Sequence, residues 1–112
     1  MRELQIIRQK YRTVYPELWV RSMIKARKGF ILQKMMDAYM IIAVGEGTEL
    51  FHDIIQTNET GAFYWKMLEE GTTKEALIQA ALKRFEDLDE ATAQSDITEF
   101  LDDIAPALEV YS

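Results

Sequence analysis

The sequence contains no cysteine and a single histidine, His52. The absence of cysteine excludes disulfide bonds, a thiol nucleophile and a cysteine metal site. A metal site normally needs several converging histidine, cysteine or carboxylate ligands, and one histidine on a strand does not supply them. The chain also shows no recognisable pairing of a nucleophile with a base. We therefore predict that the protein is not an enzyme and that it uses no cofactor or metal.

Long apolar runs are missing as well. No segment approaches the roughly 18 consecutive apolar residues of a membrane-spanning helix, so no membrane span is predicted. The N-terminus has charges but no clean apolar core with a small-residue cleavage site, which argues against a secretory signal. Together with the absence of cysteine, this pattern is compatible with a cytoplasmic protein, which is our expectation. The 112 residues are 48% hydrophobic and 29% charged, which predicts one globular domain.

Positive charge is scarce outside the N-terminus. The net charge is −6 at pH 7, but residues 1–28 carry +6 and residues 29–112 carry −12. Such asymmetry often marks a tail with a role of its own. We therefore divide the chain into a basic N-terminal arm, residues 1–28, and a domain formed by residues 29–112.

The arm is predicted to be helical, because its apolar residues recur at steps of three and four. These residues are Leu4, Ile7, Tyr11, Val14 and Leu18. Pro16 fits the first turn of a helix, so we predict one helix from Glu3 to Arg12 and another from Pro16 to about Arg27. Three roles remain open for the arm. It packs on the domain, it forms a homodimer, or it lies at a membrane surface as a basic helix with aromatic residues.

Three strands are predicted after the arm. Residues 30–34 and 39–44 flank a turn around Asp37 and are rich in β-forming residues, so they predict a hairpin. Residues 45–48 form a loop by composition. Residues 49–55 then form the third strand, which leads directly into a helix.

The helix that follows has both ends marked. Asn58 is a good N-cap residue, and Gly71 fits the left-handed position that ends a helix. Between them an apolar stripe recurs at helical spacing and must be buried. The stripe consists of Thr60, Phe63, Tyr64, Met67 and Leu68, with Trp65 beside it.

Two more helices are predicted downstream. Thr72 and Glu75 match a capping box for the second helix. The third begins at about Asp89 or Glu90 and ends before Pro106, because proline disfavours helix at the preceding residue. The predicted buried face of the third helix is Ala93, Ile97, Phe100, Leu101 and Ile104.

Three strands followed by three helices predict the α+β class. The last two helices, joined by a short polar turn, form a helix-turn-helix-like unit, and the strands supply a wing-like sheet. A last short element spans residues 107–111. The predicted fold is therefore winged-helix-like, with a three-stranded antiparallel sheet, three helices and an extra N-terminal helical arm.

The residues from Thr57 to Thr72, TNETGAFYWKMLEEGT, are similar to the LNETGAxIWxLLDGxxT signature of PqqD-like proteins. Downstream, Ile78, Leu82 and Phe85, followed by DITEFL from Asp96 to Leu101, fit the I…L…F…DVxxFLxxL pattern of the same family. The resemblance covers about residues 29–105.

The chain departs from the family pattern in three places. Thr57 stands where the family usually has leucine, and residues 105–108 replace a usual turn with glycine. The basic arm has no counterpart in the short family members.

The resemblance implies a fold and a role. The fold is a winged-helix module. The role is that of a RiPP recognition element, which binds the leader segment of a ribosomally synthesised precursor peptide and presents it to a modifying enzyme. In the pathway that gives the family its name, which makes pyrroloquinoline quinone, that enzyme is a radical SAM protein. The implied partners are therefore a precursor leader peptide and a modifying enzyme, radical SAM or similar.

By the resemblance, the peptide groove lies between the third strand and the third helix. A strand at a sheet edge offers N–H and C=O groups, so an extended peptide can add as a fourth strand. Asp96, Glu99 and Asp103 share one face of the third helix and either form an acidic rim for basic peptide residues or are simply solvated. The predicted peptide-binding residues are Leu50, Phe51, His52, Asp53, Ile54, Ile55, Asp96, Glu99, Phe100 and Asp103.

Two alternative functions are a winged-helix DNA-binding regulator and an interaction domain without an assigned peptide. A DNA-binding protein needs a cationic face, whereas the predicted third helix carries acids and no lysine or arginine. No nucleic-acid partner is therefore expected. A further hypothesis is that the basic arm folds onto the acidic groove of its own or a neighbouring molecule and inhibits peptide binding.

Overall fold

The structure is a computed structural model that describes residues 22–45, 48 and 54–111. Within them the chain forms six β-strands, three α-helices and a short 3-10 helix. The strands are β1 (Met23–Ala26), β2 (Phe30–Met35), β3 (Ala38–Ala43), β4 (Ile54–Thr57), β5 (Thr72–Thr73) and β6 (Leu108–Tyr111). The α-helices are α1 (Glu59–Glu70), α2 (Lys74–Arg84) and α3 (Glu90–Asp103), and the 3-10 helix is Ala105–Ala107.

The described strands form two antiparallel sheets. In the first sheet, of order β5-β1-β6, β1 is central, because Ile24 pairs with Thr72 on one side and with Val110 on the other. In the second sheet, of order β2-β3-β4, β4 lies at an edge. The predicted α+β class is confirmed, whereas the winged-helix arrangement stays a prediction.

The hairpin of β2 and β3 forms where the sequence predicts it. Met35 pairs with Ala38, so the turn consists of Met36 and Asp37. Met36 has a φ of 56°, a left-handed conformation that glycine and asparagine adopt more readily than methionine. Its side chain is 92% exposed, so no burial of that side chain offsets the strained backbone.

Helix α1 has the predicted boundaries. The Asn58 side-chain oxygen accepts a hydrogen bond of 2.9 Å from the backbone N–H of Gly61. Gly71 has a φ of 92°, and its N–H donates to the carbonyl oxygen of Leu68 at 3.1 Å. Trp65 and Leu68 of this helix are completely buried, as the apolar stripe predicts.

The helix caps that follow match the prediction in one case and not in the other. Asp89 caps α3 by accepting from the N–H of Thr92 at 2.7 Å, and this hydrogen bond lowers the pKa of Asp89. For α2 the capping residue is Thr73, not Thr72. The predicted capping box is wrong because Thr72 is buried in β5, where it pairs with Ile24.

One hydrophobic core is shared by the helices and both sheets. Its largest completely buried side chains come from β1, β3, the three helices and the residue after α3. They are Trp65, Ile24, Ile41, Leu68, Leu77, Ile97, Leu101 and Ile104. The predicted buried face of α3 is confirmed, except that Phe100 is only half-buried.

A buried pair of charges lies between α2 and α3. Lys74, at the start of α2, is 7% exposed, and Asp102, near the end of α3, is 3% exposed. Burial lowers the pKa of the Lys74 ammonium, and the negative charge of Asp102 opposes that shift in part.

The helix predicted from Pro16 to about Arg27 is wrong over Met23–Ala26, which form β1. This strand is stabilised by pairing with β6, at the other end of the chain. Local spacing of apolar residues cannot reveal such a distant partner. The helix predicted from Glu3 to Arg12 lies outside the described residues, and the division at residues 28 and 29 stays a prediction.

The third predicted strand is confirmed at Ile54 and Ile55 and extends further toward the C-terminus than expected. Strand β4 spans Ile54–Thr57, whereas the sequence predicts residues 49–55. Residues 49–53 lie outside the described part of the chain. The last predicted element is confirmed as β6, and its pairing with β1 adds a sheet that the sequence analysis did not anticipate.

Candidate functional site

Strand β4 and helix α1 meet without a connecting loop. Thr57 is the last residue of β4, Asn58 caps the helix and Glu59 is its first residue. The edge of the second sheet therefore lies beside the first turn of α1. No other strand of the described part of the chain lies on the outer side of β4.

Helix α3 contributes the opposite side of the site. Asp96, Glu99, Phe100 and Asp103 follow the i, i+3, i+4, i+7 spacing and therefore share one helix face. Asp96 and Glu99 are exposed, and Phe100 and Asp103 are half-buried. The sequence predicted this set of four, and the structure brings its members together.

A groove of about 720 Å³ lies between these elements. Its sides are the end of β4 and one face of α3, and its base is the first two turns of α1. The residues that line it are Gln56, Thr57, Asn58, Thr60, Gly61, Tyr64, Asp96, Glu99, Phe100 and Asp103.

The base of the groove is closely packed around Gly61. A β-carbon at this position would overlap the Thr57 hydroxyl oxygen and would lie 3.0 Å from the Thr57 Cβ and from a ring carbon of Phe100. Glycine therefore allows β4, α1 and α3 to approach one another at a single point. This approach fixes the position of the strand edge relative to α3.

Two aromatic side chains line the groove, of which Phe100 is half-buried and Tyr64 is only 3% exposed. The rings of Tyr64 and Phe100 have centroids 5.6 Å apart and are tilted by 54°, an arrangement favoured between aromatic side chains. Burial, followed by the nearby charge of Asp96, raises the pKa of the Tyr64 hydroxyl. This hydroxyl therefore stays protonated at neutral pH.

The charged residues among the described lining of the groove are all acidic. Three carboxylates line it, and among the described lining residues there is no lysine, arginine or histidine. An electrostatically complementary ligand carries positive charge. The α3 face therefore has the acidic character that the sequence predicted.

Of the six predicted peptide-binding residues on the third strand, the structure describes two, and these differ in burial. Ile55 is buried at 5% exposure and belongs to the core, whereas Ile54 is 47% exposed on the opposite face of β4. At this end of the strand, the set of alternating side chains that includes Ile54 therefore faces outward, and the set that includes Ile55 faces the core. Leu50, Phe51, His52 and Asp53 lie outside the described residues.

Sequence reasoning missed the part of the groove formed by the strand-to-helix junction. Those residues are Gln56, Thr57, Asn58, Thr60, Gly61 and Tyr64. The sequence predicts Asn58 as a cap and Tyr64 as a buried helix residue but assigns neither to the site. A cap that directly follows a strand was the available signal, because it places the strand edge beside the helix start.

The described residues contain neither a cluster suited to a metal ion nor a helix suited to a membrane. No group of three or more histidine, cysteine, aspartate or glutamate residues is arranged to hold a metal ion there. In the same part of the chain, no helix has both the length and the apolar character required to cross a membrane.

Sequence comparison identifies a family. The model of the coenzyme PQQ synthesis protein D family, PqqD, matches residues 39–106, which is more than half of the chain. This protein belongs to the PqqD family. The matched span runs from β3 to the 3-10 helix, so β1, β2 and β6 of this PqqD-family protein lie outside it. The residues expected to carry the family resemblance began earlier, at about residue 29. No match was found among curated proteins.

The fold of this PqqD-family protein also resembles a solved structure. TbiB1, determined in complex with the TbiA(beta) leader peptide, superposes with a TM-score of 0.61 at 22% sequence identity. The similarity covers 79% of this chain and 98% of the TbiB1 chain. The two proteins therefore share a fold over nearly the whole of TbiB1.

Proposed function

We propose that this protein binds the leader segment of a ribosomally synthesised precursor peptide and presents it to a modifying enzyme, without catalysing a reaction itself. The observation that carries the proposal is the position of the β4 edge beside a groove of about 720 Å³. Membership of the PqqD family supports it. The fold shared with TbiB1, which was solved with a leader peptide, adds further support.

The proposed binding mode is strand addition. An extended peptide pairs with the outer side of β4 and extends the β2-β3-β4 sheet to four strands. Main-chain hydrogen bonds then supply affinity, and the side chains facing the groove supply specificity. Gln56 and Thr57 are the described β4 residues that line the groove, so the peptide backbone lies beside them.

The modifying enzyme is the second proposed partner. When the leader is held as an edge strand, the part of the precursor peptide that follows the leader extends beyond the sheet. An enzyme can act on that part. A radical SAM enzyme or one of similar role fits this proposal. The acidic α3 face gives no support to the DNA-binding alternative, because phosphate contacts need cationic side chains.

The strand-addition mode is tested with a backbone scan of a synthetic leader. The leader is that of a precursor peptide encoded beside the gene for this chain, and each variant carries one N-methyl group. In an added strand only every second peptide N–H points to the neighbouring strand. We therefore expect a loss of affinity of about fivefold or more at alternate positions, corresponding to about one hydrogen bond.

Calorimetry with the full-length protein gives the affinities, and NMR of the same complexes gives the location. Amide shifts at Gln56 and Thr57 are expected with the unmethylated leader. Binding without a two-residue period in the scan would contradict strand addition while preserving leader recognition. An absence of leader binding would contradict the proposed function.

A further inference from the structure

The outer face of the second sheet carries an apolar row that ends at its β4 edge. Ile31 on β2 pairs with Ile42 on β3, and Ile42 pairs with Ile54 on β4. Paired residues in antiparallel strands point to the same face, so these three side chains are neighbours. Ile31 is 42% exposed and Ile54 is 47% exposed. We call Ile31, Ile42 and Ile54 the outer row.

A strand added beside β4 would continue the outer row. Neighbouring strands lie about 4.8 Å apart, and directly opposite side chains make the closest contacts between them. The peptide residue opposite Ile54 would therefore cover part of its exposed surface. An apolar side chain at that peptide position removes water from both surfaces, which is favourable.

The next peptide residue would point to the opposite face because side chains alternate along a strand. On that side the peptide meets the α3 wall of the groove, where Asp96 and Glu99 are exposed. Phe100 is half-buried on this wall, whereas Tyr64 is only 3% exposed and packs behind it. Arginine and lysine side chains suit these surroundings because they pair with carboxylates.

Resting on the proposed function, we infer that the peptide segment recognised at the β4 edge alternates between apolar and basic side chains. Valine, isoleucine or an aromatic residue lies opposite Ile54 on the outer face, and lysine or arginine lies on the groove side, near Asp96 and Glu99. The protein is expected to recognise the alternating order of these residues along the peptide, not the amino-acid composition of the peptide. The same residues in another order would place basic groups against Ile54 and apolar groups against the carboxylates.

The experiment uses a display library of random peptides of 12 residues, selected on the full-length protein. We expect enriched peptides with an apolar residue at position i and basic residues at i−1 and i+1. The enriched consensus and a rearranged peptide of the same composition are then synthesised. The consensus should bind about tenfold more tightly than the rearranged peptide, since rearrangement removes the contact with Ile54 and the pairing with Asp96 and Glu99.

Two variants with matched controls assign the two sides of the peptide. Ile54→Thr should weaken the consensus peptide about threefold, as expected for one cross-strand contact. Ile31→Thr, at the distant end of the outer row with similar exposure, should leave affinity unchanged.

Neutralisation of Asp96 and Glu99 together, as Asp96→Asn with Glu99→Gln, should weaken binding about fivefold and reduce its salt dependence. The control pair Glu75→Gln with Glu90→Gln lies outside the groove lining and should have no effect.

The outcomes separate this inference from the function on which it rests. Peptides that are enriched and shift the Gln56 and Thr57 amides, but lack the alternation, would overturn the inference and leave peptide binding intact. Equal affinity of the consensus and rearranged peptides would also overturn it. If no peptide is enriched, and the leader does not bind either, both proposals are wrong.

Discussion

The two sheets of this protein differ in what their strands meet. In the β5-β1-β6 sheet, the central strand has a partner on each side, and Ile24 is completely buried. Arg27 holds the end of β1 to the C-terminal segment, because its backbone N–H donates to Ala107 O at 2.7 Å and its Nη2 donates to Leu108 O at 3.0 Å. In the β2-β3-β4 sheet, β4 lies at the edge, and Ile54 is 47% exposed.

The two sheets share one hydrophobic core but have different roles, one in stability and the other in binding. The first sheet joins the N-terminal and C-terminal parts of the described chain and completes the hydrophobic core. The second sheet uses one face for the same core and presents its β4 edge to the groove. A change in the first sheet should therefore act on stability, and a change at the β4 edge should act on binding.

The largest expected effect comes from making the same substitution in both sheets. Ile24→Ala removes a completely buried side chain and should reduce the free energy of unfolding by about 2–5 kcal/mol. Ile54→Ala, at an exposed position, should change it by less than about 0.5 kcal/mol. Urea unfolding followed by circular dichroism measures both values. Equal losses at the two positions would contradict the division of tasks.

The next effect is expected where the two regions touch, at Gly61. In a helix, replacing glycine by alanine normally stabilises by up to about 1 kcal/mol. Here the added β-carbon meets Thr57 and Phe100, and overpacking of this kind costs about 1–3 kcal/mol. We expect Gly61→Ala to lose about 1 kcal/mol overall in thermal or urea unfolding, and to lose peptide affinity as well.

A second substitution controls for the helix effect. Thr57→Gly removes the side chain that the added β-carbon would overlap. The double variant Thr57→Gly with Gly61→Ala should therefore lose less free energy of unfolding than the two single variants added together. A stabilising Gly61→Ala would show that β4 and α1 do not approach as closely as described.

A smaller effect is expected in the pH dependence of stability, which tests the buried ammonium group of Lys74 next to β5. Burial lowers the pKa of Lys74 in the folded protein, whereas the unfolded pKa is about 10.4. Between these two pKa values the unfolded state binds more protons, so the free energy of unfolding rises with pH. This contribution is absent from Lys74→Met. Urea unfolding between pH 7 and 10.5 should show the parent protein gaining stability relative to the variant, and a constant difference would contradict the shift.

The smallest effect is expected at the hairpin turn, away from β4. Met36→Asn places a residue that tolerates positive φ where methionine is strained. We expect a stabilisation of about 0.5 kcal/mol without a change in peptide affinity. A changed affinity would mean that the turn contributes to the recognition surface.

The elements with local signals could be predicted from the sequence. The caps at Asn58 and Gly71 mark α1, and the turn around Asp37 marks the hairpin, because these features depend only on neighbouring residues. The shared face of Asp96, Glu99, Phe100 and Asp103 follows from helical spacing alone. This is why the α3 side of the groove could be predicted from the sequence.

The elements that depend on distant pairing could not be predicted. Strand β1 has only four residues and is stabilised by β5 and β6, so no local signal separates it from the helix predicted from Pro16 to about Arg27. Thr72 is an acceptable cap in sequence, but pairing with Ile24 places it in a strand. The contribution of Gly61 to the groove likewise depends on Thr57 and Phe100 meeting there, which only the folded structure reveals.

Hydrogen–deuterium exchange tests the central claim most directly. The full-length protein is compared with and without the precursor leader, and exchange is followed at residues 54–57 and 23–26. The account predicts that leader binding slows exchange within residues 54–57 and leaves β1 unchanged, since β1 already has a partner on each side. Leader binding that protects the outer edge of β2 or the first sheet, and leaves β4 unchanged, would contradict it.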